Sequence, residues 1–147
     1  MNSFNLPKIA ELTGEFITRN RQLSYQLEKL EEDRQHVLYQ ATNLFSLLYC
    51  QIMADKEVIG NWPRLQEELF KNDRTKANRY LVYVVPDSII QQSQLYEELT
   101  RAERDDKFFR KVFIGLPDGA GKKEIENSLA DRIPLWFEER TQVPRRL

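Results

Sequence analysis

A chain of 147 residues is long enough for one ordinary domain with a real core and too short for two full ones. Hydrophobic residues make up 41% of it and glycine and proline are sparse, five and six respectively, which excludes disordered and fibrous classes. With 22 Lys and Arg against 23 Asp and Glu, the net charge of −1 offers no global field for nucleic acid, anionic lipid or an acidic partner, so any electrostatic site must be local.

The single cysteine, Cys50, and single histidine, His36, exclude a disulfide framework and a Cys/His zinc centre, and favour a reducing compartment. The start, MNSFNLPKIAEL, lacks a basic region leading into an apolar run, and no stretch approaches the roughly 18 apolar residues of a membrane span. A cytoplasmic protein is expected.

From Asn5 to Gly60 no proline follows Pro7, and a 3-4 repeat runs through Phe16, Leu23, Leu30, Val37 and Leu44, with Asn20, Leu27, Arg34, Ala41 and Leu48 at the second position. That spacing predicts one long helix, with Gly14 as the place for a break. Its first half is narrow-seamed and charged, as in a coiled-coil arm, whereas Val37–Ile52 is apolar on a wider front and reads as core. After Gly60, Asn61 and Pro63 open a short second helix with Leu65, Leu69 and Phe70 on one face.

The second half opens on Tyr80–Val85, a continuous apolar strand of the kind covered on both faces, ended by Pro86. Ser88 can cap a helix running to about Arg104, a strand follows from Phe108 to Leu116, and a helix over residues 122–133 carries Ile125, Leu129 and Ile133. Leu135–Phe137 offers a short third strand. The expected fold is α/β, with α+β as the alternative: a helical arm and packing helix over 1–72 against a small, mainly parallel β-α-β unit over 73–147. So small a sheet leaves its edges bare and invites cover from another subunit, which would make the isolated chain poorly behaved.

No catalytic set stands out. Pro86-Asp87 with Asp105-Asp106-Lys107 imitates the proline-aspartate and acid-x-lysine signature of a large class of Mg²⁺-dependent nucleases, but the spacing puts Asp87 and Asp105 at opposite ends of a parallel unit. GLPDGAGKK has the strand-to-helix setting of a phosphate loop, yet five residues rather than four separate Gly115 from Gly121, and Lys123 stands where Ser or Thr belongs. His36 lies near Glu32 and Asp33 without a nucleophile, and Cys50 reads as a buried thiol. No metal or cofactor is expected. Lys71, Arg74, Lys76 and Arg79 precede the first strand and leave direct nucleic-acid contact open. Within the second strand, Arg110 and Lys111 are adjacent, so one must face a covered side and find a partner there, in this chain or in another.

The apolar strand ending in VVPD, the helix containing YEEL and the run DDKFFRKVFI together resemble the small middle components of ABC-three-component systems, bacterial defence assemblies that include Lamassu-type systems. The resemblance covers roughly Arg79–Phe137. It implies a non-catalytic subunit that couples an ABC- or SMC-like ATPase to an effector. The interface expected on that reading combines Leu23, Leu27 and Leu30 of the arm with Tyr80, Val82, Phe108, Phe109, Arg110 and Lys111 of the sheet. The alternatives are the nuclease using Asp87, Asp105 and Lys107, and a homodimeric regulator closing its own sheet.

Overall fold

The computed structural model describes residues 4–19, 24–44, 46–54, 62–72, 78–105 and 109–132. In chain order they form α1 (Leu6–Arg19), β1 (Gln26–Glu32), β2 (His36–Thr42), β3 (Ser46–Met53), α2 (Trp62–Asn72), β4 (Asn78–Pro86), α3 (Asp87–Ile90), α4 (Ser93–Arg104), β5 (Arg110–Leu116) and α5 (Lys122–Arg132).

The expected single helix from Asn5 to Gly60 is replaced, among the described residues, by one helix and three strands. α1 does open at Asn5, whose Oδ1 accepts the Lys8 N–H at 3.3 Å. It runs straight through Gly14, where the missing side chain serves close approach: a Cβ there would lie 3.2 Å from Leu27 and 3.3 Å from the Tyr39 hydroxyl. Two Asx-type turns then set the meander. Asp33 Oδ1 accepts the N–H of Gln35 at 2.6 Å and of His36 at 2.9 Å, and closes β1 onto β2. Asn43 Oδ1 accepts the Ser46 N–H at 2.7 Å, and closes β2 onto β3.

All five strands join one sheet in the order β1-β2-β3-β4-β5. β1–β2 and β2–β3 are antiparallel, β3–β4 and β4–β5 parallel, so the sheet is mixed rather than mainly parallel. It is continuous across the expected boundary at residue 72, because β3 pairs β4 from Ser46↔Asn78 to Ile52↔Val84. Every residue of β3 is buried, as are Tyr80–Val85 of β4. The apolar run expected to be covered on both faces is therefore a central strand.

The chain supplies that cover itself. One face, carrying Val37, Tyr39, Leu48, Cys50, Ile52, Val82, Val84 and Ile114, packs under α1 and α5. The opposite face, carrying Leu38, Leu47, Tyr49, Met53, Leu81, Tyr83, Val85, Phe109 and Phe113, packs under α2, α3 and α4. Arg19 and Glu126 join α1 to α5 at 2.7 Å. The expectation that a second subunit covers a bare sheet is corrected by these two helical layers, and with it the ground for a poorly behaved isolated chain.

The helix expected from Ser88 is two: α3 starts one residue earlier, at Asp87, without a side-chain cap, and α4 begins after Gln92. The expected strand at Leu135–Phe137 and the cap at Asn61 lie outside the described residues. No helix among the described residues is long and apolar enough to cross a membrane.

Candidate functional site

The residues expected to form one partner surface are dispersed by the fold. Leu27 and Leu30 lie on β1 rather than on a helical arm; Leu27 packs against the core and Leu30 is exposed. Tyr80 and Val82 are buried beneath α1 and α5, whereas Phe109 and Lys111 are buried on the other face. Arg110 is exposed at the start of β5. Leu23 and Phe108 lie outside the described residues.

Alternation along β5 answers the question posed by Arg110 and Lys111: the lysine is the inward one. Its Nζ donates to Gln66 Oε1 of α2 at 2.9 Å, lies 3.8 Å from Asp105 Oδ1, and sits 5.4 Å from the centre of the Trp62 ring. These partners come from this chain, and they offset the cost of an ammonium whose side chain is fully removed from solvent.

The nuclease-like carboxylates do not meet. Asp105 sits beside Lys111, which is level with Leu81, while Asp87 follows the far end of β4, about 20 Å away at the rise of a strand. Lys107 lies outside the described residues. The GLPDGAGKK segment is a strand-to-helix turn in which Gly119 takes φ +67° and the Gly121 N–H is held at 3.3 Å by Glu124. A carboxylate at that helix start opposes the entry of phosphate. His36 stands at the β1–β2 turn between Glu31, at 2.9 Å, and Asp33, at 3.2 Å. The Asp33 carboxyl is held below its usual range by the backbone N–H groups of Gln35 and His36, as its role in the turn requires. Cys50 is inert: burial pushes its thiol up to about 12. Of the basic cluster, Arg79 stacks over the Phe70 ring at 4.7 Å and Lys71 is exposed, while Arg74 and Lys76 lie outside the described residues.

What distinguishes the molecule is the contrast between its two outer strands. β1 is exposed at six of seven positions, carries Glu28, Lys29, Glu31 and Glu32, and has a register shift between Lys29 and Glu31. Charge and irregularity are the usual protection of a sheet edge against strand addition. β5 is charged only at its start, Arg110-Lys111: its register with β4 is unbroken from Tyr80↔Arg110 to Pro86↔Leu116, and beyond Lys111 it reads Val-Phe-Ile-Gly-Leu.

Two cavities flank β5. One, of about 440 Å³, reaches Phe113, Ile114 and Gly115 and is bordered by Asp87, Glu103, Asp131 and Arg132. The other, of about 270 Å³, reaches Arg110, Lys111 and Val112 and shares Glu103, Asp131 and Arg132 with the first. The shared group is an ion pair, Arg132 Nη2 donating to Glu103 Oε2 at 2.6 Å. The same oxygen accepts the backbone N–H of Phe113 at 3.0 Å. Since α4 and α5 cover opposite faces of the sheet, this pair passes around the outer side of β5.

The chain matches no family model, no curated protein and no solved structure. Its site is therefore read from its own geometry. Sequence reasoning reached Arg110 and Lys111 but not Glu103 or Arg132, which are 29 positions apart and are brought together by the topology.

Proposed function

We propose that this chain is a non-catalytic interaction subunit that couples an ABC- or SMC-like ATPase to an effector within a bacterial defence complex, and that it meets a partner along the outer side of β5. The resemblance of Arg79–Phe137 to middle components of ABC-three-component systems supports the coupling role. The contrast between the protected edge at β1 and the regular, cavity-flanked edge at β5 carries the choice of surface. Backbone groups at such an edge offer a recurrent mode of partner recognition, with flanking cavities selecting side chains.

The nuclease alternative draws no support from the positions of Asp87 and Asp105. Co-expression with an ABC-type ATPase and an effector from such a defence system tests the proposal. The expected outcome is a stable complex that survives size exclusion and is weakened when Arg110→Glu reverses the exposed charge on β5. A chain that purifies apart from both proteins overturns the reading.

A further inference from the structure

A groove of about 490 Å³ runs between α1 and β1, at the far end of the sheet from β5. Glu11, Glu15 and Thr18 of α1 form one wall, Lys29 and Glu32 of β1 the other, and Tyr39 of β2 the floor. The irregularity in β1 sets the chemistry of this groove. Leu27, Lys29 and Glu32 lie opposite Ala41, Tyr39 and Val37, which face α1. Unbroken alternation from Leu27 would turn Glu31 toward α1 and Glu32 away. The register shift after Lys29 reverses them, which is how a bulge re-aims a side chain. Glu31, on the other face, is taken by His36.

Every polar side chain that the described residues place in the groove is an acceptor or is already committed. The Tyr39 hydroxyl, on a residue only 6% exposed, donates to the Ala10 carbonyl at 3.0 Å and accepts from no donor among the described residues. Burial holds this phenol above its ordinary range, so it keeps that proton. Thr18 likewise donates to the Gly14 carbonyl at 3.0 Å. Lys29, the one cation among the described lining residues, is held by Glu32 at 3.2 Å. Lys8 and Arg19 of α1 do not line the groove, and Arg19 is bound to Glu126. Glu11 and Glu15 have no cationic partner among the described residues, and like charges four apart on a helix repel. Among the described residues no three carboxylates are grouped closely enough to hold a metal ion.

We infer that this groove binds a segment of a partner protein that carries two arginines about one helical turn apart. A guanidinium is all donor and no acceptor, and its planar fork matches a carboxylate, so it suits a groove that offers acceptors alone. Two of them, spaced to meet Glu11 and Glu15, relieve the repulsion between those carboxylates, and the floor offers the Tyr39 oxygen as a further acceptor. From Pro7 to Thr18 the groove is about 16 Å long, the span of a peptide rather than of one side chain or ion. The inference rests on the proposed coupling role in taking the occupant to be a protein. A coupler needs two contact surfaces, and this one lies apart from β5.

The test uses the full chain, spermidine and two capped alanine-based peptides, one with a pair of arginines four positions apart and one with a pair of glutamates there. In calorimetric titration at low salt the arginine peptide should bind the wild type, and bind Glu11→Gln/Glu15→Gln about fivefold more weakly. Its affinity should be unchanged for Glu67→Gln/Glu97→Gln, which removes the same charge from exposed positions on α2 and α4. The glutamate peptide should bind none of them. Glu11→Gln/Glu15→Gln should melt no lower than the wild type, because it removes a like-charge pair. Glu32→Gln is the second variant: it frees Lys29 within the groove and should also weaken binding. On binding, the NMR resonances of Glu11, Glu15 and Tyr39 should shift. No binding to the wild type, equal affinity for the two double variants, or shifts confined to other surfaces would each overturn the inference. Binding of spermidine as tight as that of the arginine peptide would give the groove to a polyamine and refute it as well. The isolated chain suffices for this test, so a negative result leaves the coupling role to the co-expression experiment, and failure of that complex leaves the measured affinity of the groove standing.

Discussion

At the scale of single residues, the interior departs from an apolar core at a few positions with definite consequences. Tyr83 stacks on Phe113 with ring centroids 4.8 Å apart, yet its hydroxyl has no hydrogen-bond partner among the described residues. Burial pushes this phenol far above its ordinary value. Tyr83→Phe keeps the stacking and removes the unsatisfied oxygen, so it should raise stability by about 1 kcal/mol in urea denaturation at neutral pH. The sign of the pH dependence follows from the same burial. Above about pH 10 the unfolded chain loses the phenolic proton while the folded chain keeps it, so stability falls as pH rises. The gain from Tyr83→Phe should widen in that range. Cys50 works in the same direction from about pH 9 upward, with its thiol held up to about 12 in the fold. A variant that is less stable than wild type and has an unchanged alkaline limb would show that the hydroxyl is satisfied.

At the scale of elements, Lys111 ties β5 to α2 through Gln66. Gln66→Leu deprives a buried ammonium of an acceptor and should cost about 1–3 kcal/mol. Lys111→Met removes the charge while keeping much of the volume, and it should recover most of that loss when combined with Gln66→Leu. Additive losses in the two single variants and the double would contradict the coupling. This pair was half legible in the sequence, because adjacent charges in an apolar strand require one of them to face inward. The elements from Trp62 onward were legible as well: β4 and β5 as apolar runs and α2 and α5 as amphipathic segments, with bounds displaced by a residue or two. The meander was not. Strands buried on both faces, such as Ser-Leu-Leu-Tyr-Cys-Gln-Ile-Met of β3, place apolar residues at i+3 and i+4 as readily as at i+2, and so imitate a helical seam. The signals that could have corrected this were Asp33 and Asn43, each able to cap a tight turn, but in a helical reading both pass for surface residues.

At the scale of the whole molecule, the surface that matters is created by topology. Among the described residues, five strands in sequential order leave β1 and β5 at the ends of the sheet, and helices on both faces direct attention to those two strands. The sequence argument for a partner began from a sheet too small to cover; the structure withdraws that argument and transfers the question to the outer side of β5. Glu103 and Arg132 could not be found by spacing, since their meeting depends on α4 and α5 lying on opposite faces of one strand. The central claim is that the partner contact runs along β5. Amide exchange measured on the chain alone and after co-expression with an ATPase or effector of the proposed kind tests this most directly. The account predicts slowed exchange along β5 on complex formation; an intact complex in which the β5 amides exchange as they do in the free chain would contradict it.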